Sequence, residues 1–293
     1  MMKKVGFMGM GIMGLPMATN MMKKSGCDVT GFDVMEAARE RFAANGGKAT
    51  ANAEEIYADS DVIFLCLPKN ELVDSTVREI IAKAKPGTII VDFSSTAPGV
   101  IRTLFPLVKE AGMELLDSPV SGGETGAIAG TLVVMSGGEK ETFDKVEDLL
   151  HCVGSTVTYM GSTGCGCVAK LANNMIVGIN LVAVGEAYAY AAKAGLDPAV
   201  LFNAIKGGFA QNAVMDLKVP KILSRDFSPS ARIAVHHKDM KNAMQLANEM
   251  GVEIPLSAIV LDHMNRMEEW GLINEDQCAL VKVFEKAMNV EVK

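Results

Sequence analysis

The sequence predicts a doubly wound α/β domain followed by an all-helical one, and three observations carry that prediction. Short apolar segments alternate with amphipathic ones through the first half. A glycine-rich loop joins the first apolar segment to the first amphipathic one. Beyond about residue 162 the strand pattern stops, and residues 166–194 hold no breaker stronger than glycine. Strands alternating with helices imply a mostly parallel sheet covered on both faces.

The elements follow in order. Residues 3–9 (KKVGFMG) read as a strand, 14–24 as a helix and 28–33 as a second strand. Further strands are expected at 61–67, 87–93, 112–118, 131–137 and 154–161, with helices at 72–84, 98–111 and 140–150. The run 166–194 predicts a helix about 40 Å long, with Ser162 and Thr163 as N-terminal caps and Gly195 and Pro198 as its stop. Its most apolar part, 175–192, is interrupted by Asn180 and Glu186, so it reads as a buried helix and not as a membrane span. Helices at about 198–206, 212–223, 239–250, 255–270 and 275–288 complete the chain. The expected domains are 1–162 and 163–293, the second entered through the long helix.

Composition narrows the function classes. A chain of 293 residues is long enough for two domains, and its 20 methionines supply adaptable core filling. The net charge of −7 disfavours a phosphate backbone, so no nucleic-acid partner is expected. The six cysteines show no disulfide framework, which fits a reducing, cytoplasmic setting. The start, MMKKVGFMGMGIMG, resembles an export signal, but it is dense in glycine and runs directly into a nucleotide-binding pattern. No metal is expected, because Cys165 and Cys167 lack a second pair and His236-His237 lack a third ligand.

Gly9-Met10-Gly11-Ile12-Met13-Gly14 matches G-x-G-x-x-G between a strand and a helix. That context points to a Rossmann-type dinucleotide site. Gly9 makes the tight turn, Gly11 lets the backbone approach a pyrophosphate, and Gly14 lets helix and strand pack closely; the helix N-terminus supplies the positive end. Asp33 stands 24 positions beyond Gly9, near the ~20 expected of a carboxylate on the ribose hydroxyls. Val34 and Met35 follow it with no adjacent arginine for a 2′-phosphate, so NAD is expected over NADP. Leu67-Pro68 and Ser94-Ser95-Thr96 end two further strands at the same side of the sheet. Those hydroxyls read equally as cofactor contacts or as helix caps.

The turn Ser121-Gly122-Gly123 is able to expose successive N–H groups to a carboxylate, although a paired-glycine turn often has no guest. In GCGCVAKLANNM, residues 164–175, Lys170 and Asn174 share one helix face. Taken alone, that lysine also fits a side chain snorkelling to the surface.

Four motifs then stand in order: GFMGMGIMG, DSPVSGGETGAIAGTL, GSTGCGCVAKLANN and HHKDMKNAM. Together, over essentially the whole chain, they resemble the β-hydroxyacid dehydrogenase family. The C-terminal half is most similar to its tartronate-semialdehyde-reducing branch. The resemblance implies hydride exchange between a nicotinamide cofactor and a small semialdehyde or β-hydroxy acid. It makes Lys170 the catalytic acid/base and Ser121, Gly122, Gly123 and Asn174 the substrate holders. Lys238 then reaches toward cofactor and substrate, and Ser95 touches the cofactor. The expected reaction is tartronate semialdehyde to glycerate, ahead of 3-hydroxyisobutyrate, 4-hydroxybutyrate or glyoxylate chemistry. A dinucleotide-binding protein without turnover is the alternative from another class. The chain departs from the family pattern at Lys69 and at Gln211-Asn212, the pair expected to shape the substrate pocket. A homodimer or homotetramer is expected.

Overall fold

Residues 3–293 are described in the computed structural model. The chain forms two compact units that divide between Lys170 and Leu171. The division lies beyond the expected 162 because the first turns of the long helix belong to the sheet unit: Gly166 presses against the carbonyls of Asp117 and Met135 there.

The first unit runs β1 (Lys4–Met8), α1 (Gly14–Lys24), β2 (Asp28–Phe32), α2 (Glu36–Ala44), β3 (Lys48–Thr50), α3 (Ala53–Asp59), β4 (Val62–Leu65) and α4 (Asn70–Lys83). It continues with β5 (Ile89–Asp92), α5 (Pro98–Glu110), β6 (Glu114–Asp117), β7 (Val120–Ser121), α6 (Gly123–Ala129), β8 (Leu132–Gly138), α7 (Lys140–His151) and β9 (Gly154–Gly161). The strand order is β3-β2-β1-β4-β5-β6-β8-β7, with β9 paired to β8. Strands β1 to β6 are all parallel, whereas β8 runs antiparallel to β6 and β7. All four residues of β4 (VIFL) and of β5 (IIVD) are buried, which is why these strands read as unbroken apolar runs. Phe7, Phe64 and Phe93 point to one face and meet Met17, Met21 and Phe42 from α1 and α2. Met8, Ile63, Leu65 and Ile90 point to the other and meet Val73, Ile80 and Leu104 from α4 and α5. At roughly 1.5–3 kcal/mol for each large apolar side chain removed from water, these two layers dominate the unit's stability.

Helix α8 (Cys165–Lys193) carries the chain into the second unit, as expected from its uninterrupted run. There follow α9 (Pro198–Ile205), α10 (Ala213–Leu223), α11 (Ile233–Met250), α12 (Pro255–Glu269), a 3₁₀ turn at Gln277–Leu280 and α13 (Val281–Met288). Tyr188, Met215, Val219, Met240, Met264 and Phe284 build its core. Two differences from expectation matter for the site. Helix α11 begins at Ile233 and not at 239, so His236, His237 and Lys238 are helical. Helix α8 is also less covered than a buried helix: only 22% of its most apolar 18-residue window is buried within the chain, and Ile176 and Tyr190 lie exposed.

Candidate active site

The glycine loop meets the demands of a dinucleotide cradle. Gly9 sits at φ +92°, and a Cβ there would come 2.3 Å from the Cys66 carbonyl oxygen. A Cβ on Gly14 would come 1.9 Å from the Gly9 oxygen, whereas one on Gly11 would meet nothing within 4 Å. Two of the glycines are therefore required by backbone packing. The third leaves open space at the place where a pyrophosphate needs to approach. No side chain caps the N-terminus of α1 and no acidic residue stands in its first turn, so its positive end is left for an anion. Of the intervening residues, Met10 is buried, Met13 packs partly against the core and Ile12 is exposed. Gly14→Ala should weaken NADH binding tenfold or more, as followed by titration of NADH fluorescence; an unchanged dissociation constant would show that this loop does not hold the phosphates.

Asp33 fastens the loop to the end of β2. Its Oδ2 accepts the Met10 N–H at 2.6 Å and its Oδ1 accepts the Met35 N–H at 2.8 Å. A carboxylate has lone pairs to spare for ribose hydroxyls beyond these two bonds. The exposed side chains of Val34 and Met35 stand next to it in sequence and offer apolar surface. An arginine does reach this region, contrary to the reading of the local sequence. Arg39, on the unanticipated helix α2, donates to the carbonyls of Asp33 and Val34 at 2.7 and 3.1 Å.

The loops after β4 and β5 are tied together. The Leu67 N–H donates to Ser94 Oγ at 2.8 Å, and the Ala97 N–H to Asn70 Oδ1 at 3.0 Å. Asp92 accepts the Ser94 N–H and the Thr96 hydroxyl. Burial pushes its carboxyl up to about 6, against the opposing pull of these bonds. Ser94 and Thr96 are thus buried and structural, and neither caps α5, whose N-cap is Ala97. Ser95 between them is half-buried, as is Leu67, while Pro68 is exposed.

After β7, Gly122 and Gly123 both take positive φ, +135° and +64°. Ser121 precedes them at the end of the strand. Consecutive positive-φ glycines turn successive N–H groups into one concavity, which suits a carboxylate. Lys170, half-buried, lies in the second turn of α8. That helix is not capped by the side chains of Ser162 or Thr163 as expected. Its first amides go to Asp117, at the end of β6.

In the second unit α11 grips Asn174. The Asn174 side-chain N–H donates to Asp239 Oδ2 at 2.6 Å, and its Oδ1 accepts from Asn173 at 2.9 Å. Lys238 Nζ lies 3.2 Å from Asp239 Oδ1. His236 Nε2 meets the Asn174 carbonyl at 2.8 Å, while its Nδ1 faces the Gln277 amide. Because the amide is the donor there, Nε2–H donates to the carbonyl. His237 turns instead to Asn265, so the two histidines serve different partners. Among the described residues no group of three His, Cys, Asp or Glu side chains is placed to hold a metal ion. Asn212, expected in the substrate pocket, is the N-cap of α10 and accepts the Met215 N–H; Gln211 bonds Asp216. Sequence reasoning gave no role to Arg39, Asp92, Asp117 or Asp239; Arg39 and Asp92 act on neighbours within six residues, whereas Asp117 and Asp239 act on groups 47 to 65 residues away.

Family profiles of known proteins match both halves of the chain. Residues 4–161 match the profile of the NAD binding domain of 6-phosphogluconate dehydrogenase. Residues 164–284 match the NAD-binding profile of NADP-dependent 3-hydroxyisobutyrate dehydrogenase. The chain is 34% identical to 2-(hydroxymethyl)glutarate dehydrogenase of Eubacterium barkeri, over 99% of this chain and 97% of that one. It is 35% identical to 2-hydroxy-3-oxopropionate reductase of Escherichia coli (strain K12), over 98% of each. The solved structure of Mycobacterium tuberculosis 3-hydroxyisobutyrate dehydrogenase with L-serine superposes with a TM-score of 0.88 at 31% identity, over 97% of this chain and 99% of that one. A nicotinamide cofactor and oxidoreductase chemistry follow, and the chain belongs to the β-hydroxyacid dehydrogenase family.

Proposed function

We propose that this protein uses NADH to reduce tartronate semialdehyde (2-hydroxy-3-oxopropionate) to glycerate, with Lys170 as general acid in that direction and general base in the reverse. The observation that carries the reading is the face of α8: Lys170 and, one turn on, Asn174, whose amide is fixed by Asp239. When bound, the nicotinamide supplies the hydride. The chain's own groups do the rest. The Ser121-Gly122-Gly123 concavity holds the substrate carboxylate, with Asn174 and Lys238 as further holders. The Lys170 ammonium faces the carbonyl oxygen, stabilises the negative charge that develops on it and gives up a proton to form the hydroxyl. Leu67, Pro68 and Ser95 line the nicotinamide end. Asp33 takes the ribose hydroxyls, which favours NAD over NADP through repulsion of a 2′-phosphate.

The relatives' names define a shared substrate skeleton. Glycerate, 3-hydroxyisobutyrate, L-serine and 2-(hydroxymethyl)glutarate are all HOCH2–CH(R)–COO⁻ and differ only in R. A carboxylate cradle and an acid/base lysine serve every one of them, so R sets the preference. The test is a panel: NADH oxidation with tartronate semialdehyde, methylmalonate semialdehyde, succinic semialdehyde and glyoxylate, repeated with NADPH. Glycerate, 3-hydroxyisobutyrate, L-serine and 2-(hydroxymethyl)glutarate with NAD⁺ form the reverse arm. The highest kcat/KM is expected for tartronate semialdehyde with NADH. A NADPH preference would overturn the role given to Asp33, and no turnover on any compound would favour a dinucleotide-binding protein without catalysis.

We further infer a cytoplasmic homodimer or homotetramer with no nucleic-acid or membrane partner. Six free thiols and the net charge of −7 support the setting. The thinly covered apolar surface of α8 supports the assembly.

A further inference from the structure

We infer that Asp117 is the positioning residue for Lys170, holding the root of α8 on the sheet so that the lysine keeps its place relative to the carboxylate turn. This rests on Lys170 being the acid/base group.

Asp117 ends β6 and is fully buried. Its Oδ1 accepts the Gly164 N–H at 2.8 Å, and its Oδ2 accepts the Cys167 N–H at 2.8 Å. The Cys167 side chain adds a hydrogen bond to the same carboxylate. Gly164 immediately precedes α8 and Cys167 is its third residue, so one side chain satisfies donors at two levels of the first turn, as a local cap and capping box do together. The difference is its origin, 47 and 50 residues away in the chain. Burial raises the Asp117 carboxyl above the ordinary aspartate range, and the hydrogen bonds from α8 oppose that rise. The positive end of the helix also favours the ionised form.

The backbone around this contact leaves no slack. A Cβ on Gly166 would sit 2.3 Å from the Asp117 carbonyl oxygen and 2.4 Å from that of Met135. A Cβ on Gly137 would sit 2.6 Å from the Gly166 nitrogen and 2.8 Å from Asp117 Oδ1. Helix and strands therefore meet backbone to backbone, and Asp117 is the polar pin of that meeting. Its two neighbourhoods are functional. Lys170 lies three residues beyond Cys167 on nearly the same helix face, and Ser121 lies four residues beyond Asp117 on the continuation of β6. A single carboxylate thus couples the proton donor to the turn that holds the substrate. A shift of about 1 Å at a reacting group costs on the order of 10²-fold in rate.

The test compares Asp117→Asn, Cys167→Ala and Cys167→Ser in the full chain, with tartronate semialdehyde and 4-deuterated NADH as probes. Asp117→Asn is expected to lower kcat 10- to 100-fold, with KM and the NADH dissociation constant changed less than threefold. The primary deuterium isotope effect should rise as hydride transfer becomes more limiting. Cys167→Ser, which keeps a donor, should stay close to wild type, while Cys167→Ala loses several-fold in kcat. A general loss of structure would instead reduce the active fraction, leaving the isotope effect unmoved, and that result overturns the proposal. So does an unchanged kcat in Asp117→Asn. If that variant fails to fold, the cysteine pair decides, and equal kcat for alanine and serine overturns the proposal. Lys170→Ala run alongside separates the two ideas. If it retains turnover, the lysine assignment fails; if it is inactive while Asp117→Asn is normal, the lysine stands and the positioning role falls.

Discussion

Lys170→Ala should lower kcat by about 10²–10⁴-fold, the usual worth of a positioned proton donor. NADH should still bind within about threefold of wild type, because the loop at Gly9–Gly14, Asp33 and the Leu67 and Ser95 loops lie on other elements. The same factor must appear in kcat/KM for reduction and for oxidation, since the equilibrium belongs to the reactants and not to the enzyme. Lys170→Arg distinguishes charge from proton transfer. The guanidinium retains the positive charge but stays protonated throughout the working pH range, so this variant should be nearly as slow as the alanine one. Single-turnover mixing of the NADH-bound enzyme with tartronate semialdehyde measures the chemical step directly. More than a tenth of wild-type rate in either variant would remove Lys170 from the acid/base role.

The helix that carries Lys170 was legible from its pattern, but the acid/base role expected of that lysine came from the family resemblance. Helix α8 announces itself by length and by Gly195 at its end, and a lysine among Val168, Leu171 and Ile176 is conspicuous on a helix. The central strands were legible for a related reason: strands covered on both faces are written as apolar runs, and β4 and β5 are buried at every position. The elements that escaped notice are those whose pattern is weak. Helix α2 (EAARERFAA) buries only Ala38 and Phe42, and β3 has three residues, none fully buried. Missing α2 also meant missing Arg39, six residues beyond Asp33 but one helical turn inside an unrecognised element.

The rest of the site is hidden by distance along the chain. Ser162 and Thr163 look like caps for α8 because caps are usually local, yet the carboxylate that does the work comes from β6. Asn174 reads as a substrate contact, but nothing near it in sequence reveals Asp239, 65 residues away, which sets its amide. Asn212 shows the converse: a residue expected by resemblance at the pocket also has a purely local task, the N-cap of α10. Side chains that touch ligands announce themselves by type and spacing. The groups that orient them become visible only when the fold brings distant segments together.

Asp276→Asn should destabilise the helical unit by about 3–5 kcal/mol, the cost of stranding a buried charge. Asp276 is fully buried and accepts five hydrogen bonds: from Lys218 Nζ at 2.8 Å and the Cys278 N–H on Oδ1, and from the Ser230 N–H, Ser230 hydroxyl and Ala231 N–H on Oδ2. Lys218 is itself 8% exposed, so an amide in place of the carboxylate leaves its ammonium without a counter-charge. The Asp276 carboxyl is held far below its ordinary value by the bonds from Lys218, Cys278 and Ser230, which outweigh its burial. A depressed carboxylate contributes stability above its unfolded pKa of about 3.9, and that contribution is lost as pH falls below it. The difference between wild type and Asp276→Asn should therefore be full at neutral pH and shrink below about pH 4. Urea unfolding followed by the fluorescence of Trp270, the single tryptophan and a residue of this unit, reads it directly. Lys218→Met combined with Asp276→Leu should recover part of the loss, because no charge is then left buried. Recovery stays partial, since Ser230, Ala231 and Cys278 still lack their acceptor. The consequence reaches the site through α11, which begins at Ile233 directly after the pinned residues and carries Lys238 and Asp239. A urea midpoint for Asp276→Asn equal to that of wild type would show that the pair is not the staple of this unit.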